Sequence, residues 1–333
     1  MTKSYERELQ VALTAVKQAS LICRSVQSAI TDEVLEKKDK SPVTIADFSS
    51  QAVVCRELLQ AFPADPVIGE EDAAELKESE NQEFLEKIVS ELQSAGIPDS
   101  TPDQVCAWID HGGAKTYSDR FWTLDPIDGT KGFLRKEQYA VSLALIVDGK
   151  IVVGVLGCPN LPCPADGSVT GTIYYAVAGQ GAFAVPLESD SSQAASPVQV
   201  TTTQDFSESR FCESVESGHS SHGHSQQIAD QLGIKKDPRR LDSQAKYAVV
   251  GQGEADIYMR LPTRPGYREK IWDHAAGVLL VEEAGGTVTD IHGKPLEFNQ
   301  GYELANNQGV IVTNGPLHPK LIQTLSELGI SQS

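Results

Sequence analysis

The stretch Trp122-Thr123-Leu124-Asp125-Pro126-Ile127-Asp128-Gly129-Thr130 sets two carboxylates at the end of an apolar run and follows them with a glycine. Phe121 to Leu124 reads as a buried strand that Pro126 stops, because proline has no N–H for the ladder. Gly129 permits a tight turn that leaves backbone N–H groups free at the start of the next segment, a geometry that suits a phosphate. Asp125 and Asp128 crowd two negative charges together, which is costly unless cations neutralise them. Hard oxygen donors of this kind favour Mg²⁺. Standing alone, the same run also fits an Asp-Pro turn followed by an Asp-Gly bend, since turns use these residues.

Three further segments carry acids in comparable places. Ser41-Pro42-Val43-Thr44-Ile45-Ala46-Asp47 precedes an amphipathic stretch with Val53, Val54, Leu58, Leu59 and Phe62 at helical spacing, so a helix is expected to follow Asp47. Pro66-Val67-Ile68-Gly69-Glu70-Glu71-Asp72 is a short apolar strand that breaks at glycine and releases three acids. Ile271-Trp272-Asp273-His274-Ala275-Ala276-Gly277 opens a helix with an acid in its first turn, and Glu282-Glu283-Ala284-Gly285-Gly286 closes it.

The rest of the chain bounds the possibilities. Its 333 residues suit one large α/β unit or two joined lobes. With 46 acidic against 28 basic residues the formal charge is −18, so a nucleic acid polymer and an anionic membrane surface are both disfavoured as partners. The charged N-terminus lacks an apolar core of the signal-peptide kind, and no apolar run is long enough to span a bilayer. A cytoplasmic protein is the expectation. Six cysteines, at 23, 55, 106, 158, 163 and 212, do not make a disulfide framework, and the one close pair, Cys158 and Cys163, reads as loop thiols.

Leu9, Leu13, Val16, Cys23, Val26 and Ile30 predict one long first helix, and Phe84, Ile88 and Leu92 predict a helical insertion within residues 72–107. Tyr139–Val147 and Ile151–Gly157 flank Asp148-Gly149-Lys150, a hairpin signal; a second hairpin joins Thr172–Val177 to Ala182–Val185. The polar stretch from Glu188 to Gln204 is the expected boundary between lobes spanning 1–204 and 205–333. Beyond it, short strands at 211–215, 257–259, 286–289 and 310–313 alternate with helical segments, which predicts an α/β arrangement.

Taken together, the four acidic segments resemble those of the inositol monophosphatase superfamily of Mg²⁺-dependent, lithium-sensitive phosphatases, over nearly the whole chain. Within that superfamily the chain is similar to the 3′(2′),5′-bisphosphate nucleotidases. The narrower likeness lies in Ser41-Pro42-Val43-Thr44, Asp128 to Arg135, Gly218-His219-Ser220-Ser221-His222, Leu241 to Tyr247 and Glu269 to His274. The resemblance implies a layered α/β/α/β/α sandwich and hydrolysis of the 3′-phosphate of adenosine 3′,5′-bisphosphate, with adenosine 3′-phosphate 5′-phosphosulfate as a second candidate. It also implies a place in sulfate assimilation and a monomeric state.

It implies a site as well. Glu70, Asp125 and the carbonyl of Ile127 would hold one Mg²⁺, and Asp125, Asp128 and Asp273 a second, about 4 Å away as in other two-metal sites. Asp47 and Thr130 would activate the attacking water, and N–H groups around Gly129 and Thr130 would grip the scissile phosphate. His219, Asp242, Ser243, Lys246 and Arg260 would contact the nucleotide, with the lysine and the arginine on its 5′-phosphate. Two other readings remain: an inositol phosphatase with the same metals and another substrate wall, and a non-catalytic bisphosphate sensor. His219, His222 and His224 could instead hold zinc, although no cysteine accompanies them.

Overall fold

A computed structural model describes residues 4–31, 41–189, 195–215, 222–262, 264 and 266–330. The chain opens with α1 (Glu6–Ser28) and α2 (Ser41–Ala61), packed on each other and on a sheet. That sheet runs β1 (Val67–Gly69), β2 (Arg120–Asp128), β3 (Ala140–Val147), β4 (Lys150–Cys163), β5 (Asp166–Val177), β6 (Ala182–Pro186) and β7 (Ser196–Val198), in spatial as in chain order. β1 and β2 are parallel; the later pairs are antiparallel. Between β1 and β2 lie α3 (Gln82–Ser94) and α4 (Pro102–His111), the latter started by a capping box between Thr101 and Gln104.

After β2 come the short α5 (Thr130–Leu134) and the hairpins. The β3–β4 turn uses Asp148 and Gly149, both at positive φ, as an Asp-Gly turn requires. A second sheet has the order β11–β12–β10–β8–β9, from β8 (Phe211–Glu213), β9 (Arg239–Arg240), β10 (Ile257–Arg260), β11 (Thr287–Thr289) and β12 (Val310–Thr313). Its helices are α6 (His222–Leu232), α7 (Ala245–Gly251), α8 (Ala275–Glu283) and α9 (His318–Glu327).

Strand alternation sorts the side chains into layers. Trp122, Leu124, Val141, Leu143 and Leu145 pack towards α1 and α2, while Phe121, Ala140, Ala144 and Ile146 face α7 and α8. The far side of α7 and α8 meets Tyr258, Val288, Val310 and Val312 of the second sheet, whose other face (Phe211, Ile257, Met259, Ile311) packs on α6 and α9. Helix, sheet, helix, sheet, helix is the sandwich expected from the resemblance. Gly154 on β4 makes the central contact close: a Cβ there would lie 3.0 Å from the carbonyl oxygen of Ala276 on α8. Among the described residues no helix is long and apolar enough to cross a membrane.

Three local expectations are corrected. α2 does not follow Asp47 but begins at Ser41, so Asp47 lies inside the helix; Pro42 suits a first turn, where its missing N–H costs nothing. Pro126 does not end β2. The register shifts between Asp125, opposite Ser142, and Asp128, opposite Ala140, and this bulge takes up the proline. Cys158 and Cys163 sit in β4 and are buried, as are the other four thiols, rather than lying in a loop.

Candidate active site

The bulge in β2 has a consequence for chemistry. Residues three apart on a regular strand point to opposite faces, yet Asp125 and Asp128 line one cavity of about 460 Å³, because the extra residue between them resets the alternation. Glu70 reaches the same cavity because β1 runs parallel to β2 with Gly69 opposite Leu124, which sets the next residue beside Asp125. Asp273 enters from the 3₁₀ turn Ile271–Asp273 that precedes α8, and Ile127 lines the wall between the two aspartates. Acids from three distant segments therefore meet.

Their electrostatics favour a cation. Burial, then the charges of Glu70, Asp128, Asp273 and Asp47, push Asp125 well above the usual carboxylate range. Glu70 opens onto the cavity, yet desolvation by its walls and the charges of Asp273 and Glu71 push it up to about 8. Burial raises Asp273 to about 6, against the pull of Arg260. Asp125 Oδ1 is buried without a hydrogen-bond partner, a costly state for a carboxylate oxygen unless a ligand completes it. An orphaned oxygen within a ring of mutually repelling acids fits a divalent metal bound by hard donors.

This arrangement has a sign that can be measured. Between the ordinary glutamate value of 4.5 and about 8, the folded metal-free protein holds a proton on Glu70 that the unfolded chain releases. Its stability therefore falls as pH rises through that window. Metal binding displaces such protons, so the gap between the unfolding midpoints with and without Mg²⁺ is expected to widen from about pH 6 to about pH 8. Thermal denaturation at the two pH values checks this; a gap that narrows would speak against the acids as ligands.

Asp47 lies behind this cluster on α2, buried, with burial and the charges of Glu71 and Glu70 raising its pKa. Gln51, one turn further along α2, holds the acidic segment in place: its amide nitrogen donates to the Glu71 carbonyl at 2.6 Å and its amide oxygen accepts from the Glu71 N–H at 3.2 Å. Thr130 opens α5 at the cavity, preceded by Gly129 at φ 93°. No other residue fits at 129, since a Cβ would also fall 2.9 Å from that of Ser243.

The segment Leu241 to Tyr247 supplies the opposite wall. Asp242, Ser243 and Lys246 line the cavity, with Ser243 at the unusual φ of 70°. Lys246 is buried rather than solvated. Its ammonium donates to the carbonyls of Ser243 at 2.8 Å and Leu241 at 3.4 Å, and burial pulls its pKa down. Asp242 is paired with Arg135. Arg260 arrives from β10 already engaged, its Nε 2.9 Å from Glu269 and its Nη2 3.4 Å from Asp273. His219 lies outside the described residues, as does the side chain of His222, so the zinc alternative falls there too.

Sequence reasoning passed over Gln244. Its N–H donates to Asp128 Oδ2 at 2.6 Å, its Nε2 to the Trp272 carbonyl at 2.8 Å, and its Oε1 accepts from the Gly277 N–H at 3.3 Å. Its backbone thus holds Asp128, while its side chain holds the Asp273-bearing turn and the start of α8. A glutamine beside the apolar run of α7 was the available signal, because a buried amide must satisfy all its groups. Gln244→Ala takes the side-chain partner from the Gly277 N–H and leaves the Trp272 carbonyl only the longer bond from the Ser142 hydroxyl at 3.3 Å, and is expected to cost about 1–3 kcal/mol. Urea denaturation checks it, and a loss below about 1 kcal/mol would mean that water replaces the amide.

The chain is similar to known proteins over nearly its whole length. The inositol monophosphatase family matches residues 4–329. A 3′(2′),5′-bisphosphate nucleotidase of Schizosaccharomyces pombe is 45% identical, covering 96% of this chain and 95% of the relative. The 3′(2′),5′-bisphosphate nucleotidase 1 of Candida albicans is 42% identical over 98% and 97%. Among solved structures, an inositol monophosphatase from Anabaena shares the fold at a TM-score of 0.64 and 22% identity, over 98% of this chain and 97% of that one. An inositol monophosphatase from Thermotoga maritima does so at 0.62 and 19%, over 98% of each.

Proposed function

The chain belongs to the inositol monophosphatase family, and from that membership we propose that it is a 3′(2′),5′-bisphosphate nucleotidase, releasing the 3′-phosphate of adenosine 3′,5′-bisphosphate to give AMP. One observation carries the reading: a single cavity is lined both by the carboxylates Glu70, Asp125, Asp128 and Asp273 and by the cations Lys131, Lys246, Arg260 and Lys270. Such a cavity suits a ligand with one phosphate to be cleaved and another to be held.

Glu70, Asp125, Asp128, Asp273 and the carbonyl of Ile127 are the residues that would hold two Mg²⁺. When bound, the ions supply Lewis acidity and charge neutralisation at the phosphoryl oxygens. Asp47, buried behind the acidic cluster, takes the proton of the attacking water through the Thr130 hydroxyl. Backbone N–H groups at Gly129 and Thr130 orient the scissile phosphate. Lys246 presents its ammonium from a buried position, which strengthens its hold on a phosphate by excluding water. Asp242 and Ser243 offer hydrogen bonds to a sugar or base.

Phosphate release from adenosine 3′,5′-bisphosphate, its phosphosulfate relative and inositol 1,4-bisphosphate, each with Mg²⁺, tests the reading. The nucleotides are expected to be preferred. Preference for the inositol phosphate would overturn the substrate assignment but keep the chemistry, and nucleotide binding without turnover would favour a sensor.

A further inference from the structure

Arg260 was expected as a phosphate-binding cation, yet its guanidinium is held by acids on the protein. Its Nε donates to Glu269 Oε2 at 2.9 Å, while Nη2 lies 3.4 Å from Asp273 Oδ2, a looser contact. Behind Glu269 stands His274, with Nε2 3.2 Å from the same carboxylate oxygen and Nδ1 2.7 Å from the Tyr247 hydroxyl. Glu269 and His274 are almost completely buried. A polar chain thus runs from α7 through the core to Asp273 at the cavity.

We infer that Glu269 is a positioning residue that holds the Arg260 guanidinium away from Asp273, so that Asp273 keeps its carboxylate available to a metal ion. The inference rests on the metal reading above. Arginine and aspartate left to themselves pair through two parallel N–H···O bonds, which would occupy both carboxylate oxygens. Glu269 takes the Nε edge instead, and only Nη2 is left near Asp273. The position of Asp273 makes such control necessary: it lies on a three-residue 3₁₀ turn, which has little backbone ladder of its own to fix a side chain. His274 and Tyr247 then orient Glu269, as outer partners orient metal-ligating groups elsewhere.

Glu269, Asp273 and His274 also bring ligand atoms within 4.8 Å of one another, as a second metal site would. The guanidinium answers that geometry. Glu269 Oε2, the oxygen that faces His274, is the one that accepts from Arg260 Nε, so the cation of this cluster is supplied by the chain.

The test is Mn²⁺ binding without nucleotide, followed by electron paramagnetic resonance, with thermal unfolding as a check on folding. Glu269→Gln is expected to weaken Mn²⁺ binding about tenfold or more, the scale on which outer partners act on metal affinity. Adding Arg260→Gln to it removes the competing cation and is expected to restore affinity to within about threefold of wild type, a coupling that a merely structural role would not show. Wild-type affinity in Glu269→Gln, or a double variant no better than the single one, overturns the inference alone. A wild-type protein that binds no Mn²⁺ overturns the metal reading and this inference with it. Should Glu269→Gln not fold, Tyr247→Phe, which deletes one hydroxyl at the far end of the chain, is expected to weaken Mn²⁺ binding severalfold, and unchanged affinity there overturns the proposal.

Discussion

Asp125→Asn is expected to lower turnover of the bisphosphate by about three orders of magnitude, since losing about 4 kcal/mol of charge stabilisation is a factor of about 10³. Asp125 is the acid most deeply placed in the cluster, with the charges of Glu70, Asp128, Asp273 and Asp47 all acting on it. Asparagine has nearly the shape of the protonated acid but carries no charge with which to hold a metal ion. The same substitution is not expected to lower the unfolding midpoint of the metal-free protein at about pH 8, because burial and the acidic neighbours already disfavour a charge at this position. Adding Mg²⁺ should then raise the midpoint far less than in wild type. Activity assays and thermal unfolding read the two effects separately. A variant that loses stability without metal would mark Asp125 as a structural residue.

Asp47→Asn is the second large effect. General base catalysis by a positioned side chain contributes about 10²–10⁴-fold, and an amide cannot accept the proton. Asp47 belongs to α2 and reaches the cluster from behind, so its replacement should leave Mn²⁺ binding and the KM for the nucleotide close to wild type while kcat falls by that range. Single-turnover measurements separate the chemical step from release. A kcat within about threefold of wild type would remove Asp47 from the proton path and leave it as a buried helix residue.

Much of this protein could be read along the chain. The Asp148-Gly149 hairpin and the strands at 257–259 and 310–313 all stand where residue pattern placed them. These signals are local, since turn chemistry and side-chain period depend on neighbours within a few residues. Where local signals competed, reading failed: Asp47 looked like a helix start, but Ser41-Pro42 is an earlier one, and Pro126 looked like a strand end, but a bulge absorbs it.

The acids themselves stood out by type and setting, each read at a strand end or at the opening of a helix. Their partners were not. That Arg260 is held chiefly by Glu269 with only a looser contact to Asp273, that the Lys246 ammonium is buried against carbonyls, and that Gln244 anchors Asp128 follow from contacts between β10, the 3₁₀ turn and the start of α7. Sequence by itself determined which elements form and which residue types stand at their ends, because those depend on short-range sterics and patterning. Tertiary structure alone decided which charges meet and which oxygens are left without partners, because Coulomb and hydrogen-bond energies depend on distance in space, and the packing of five layers sets that distance.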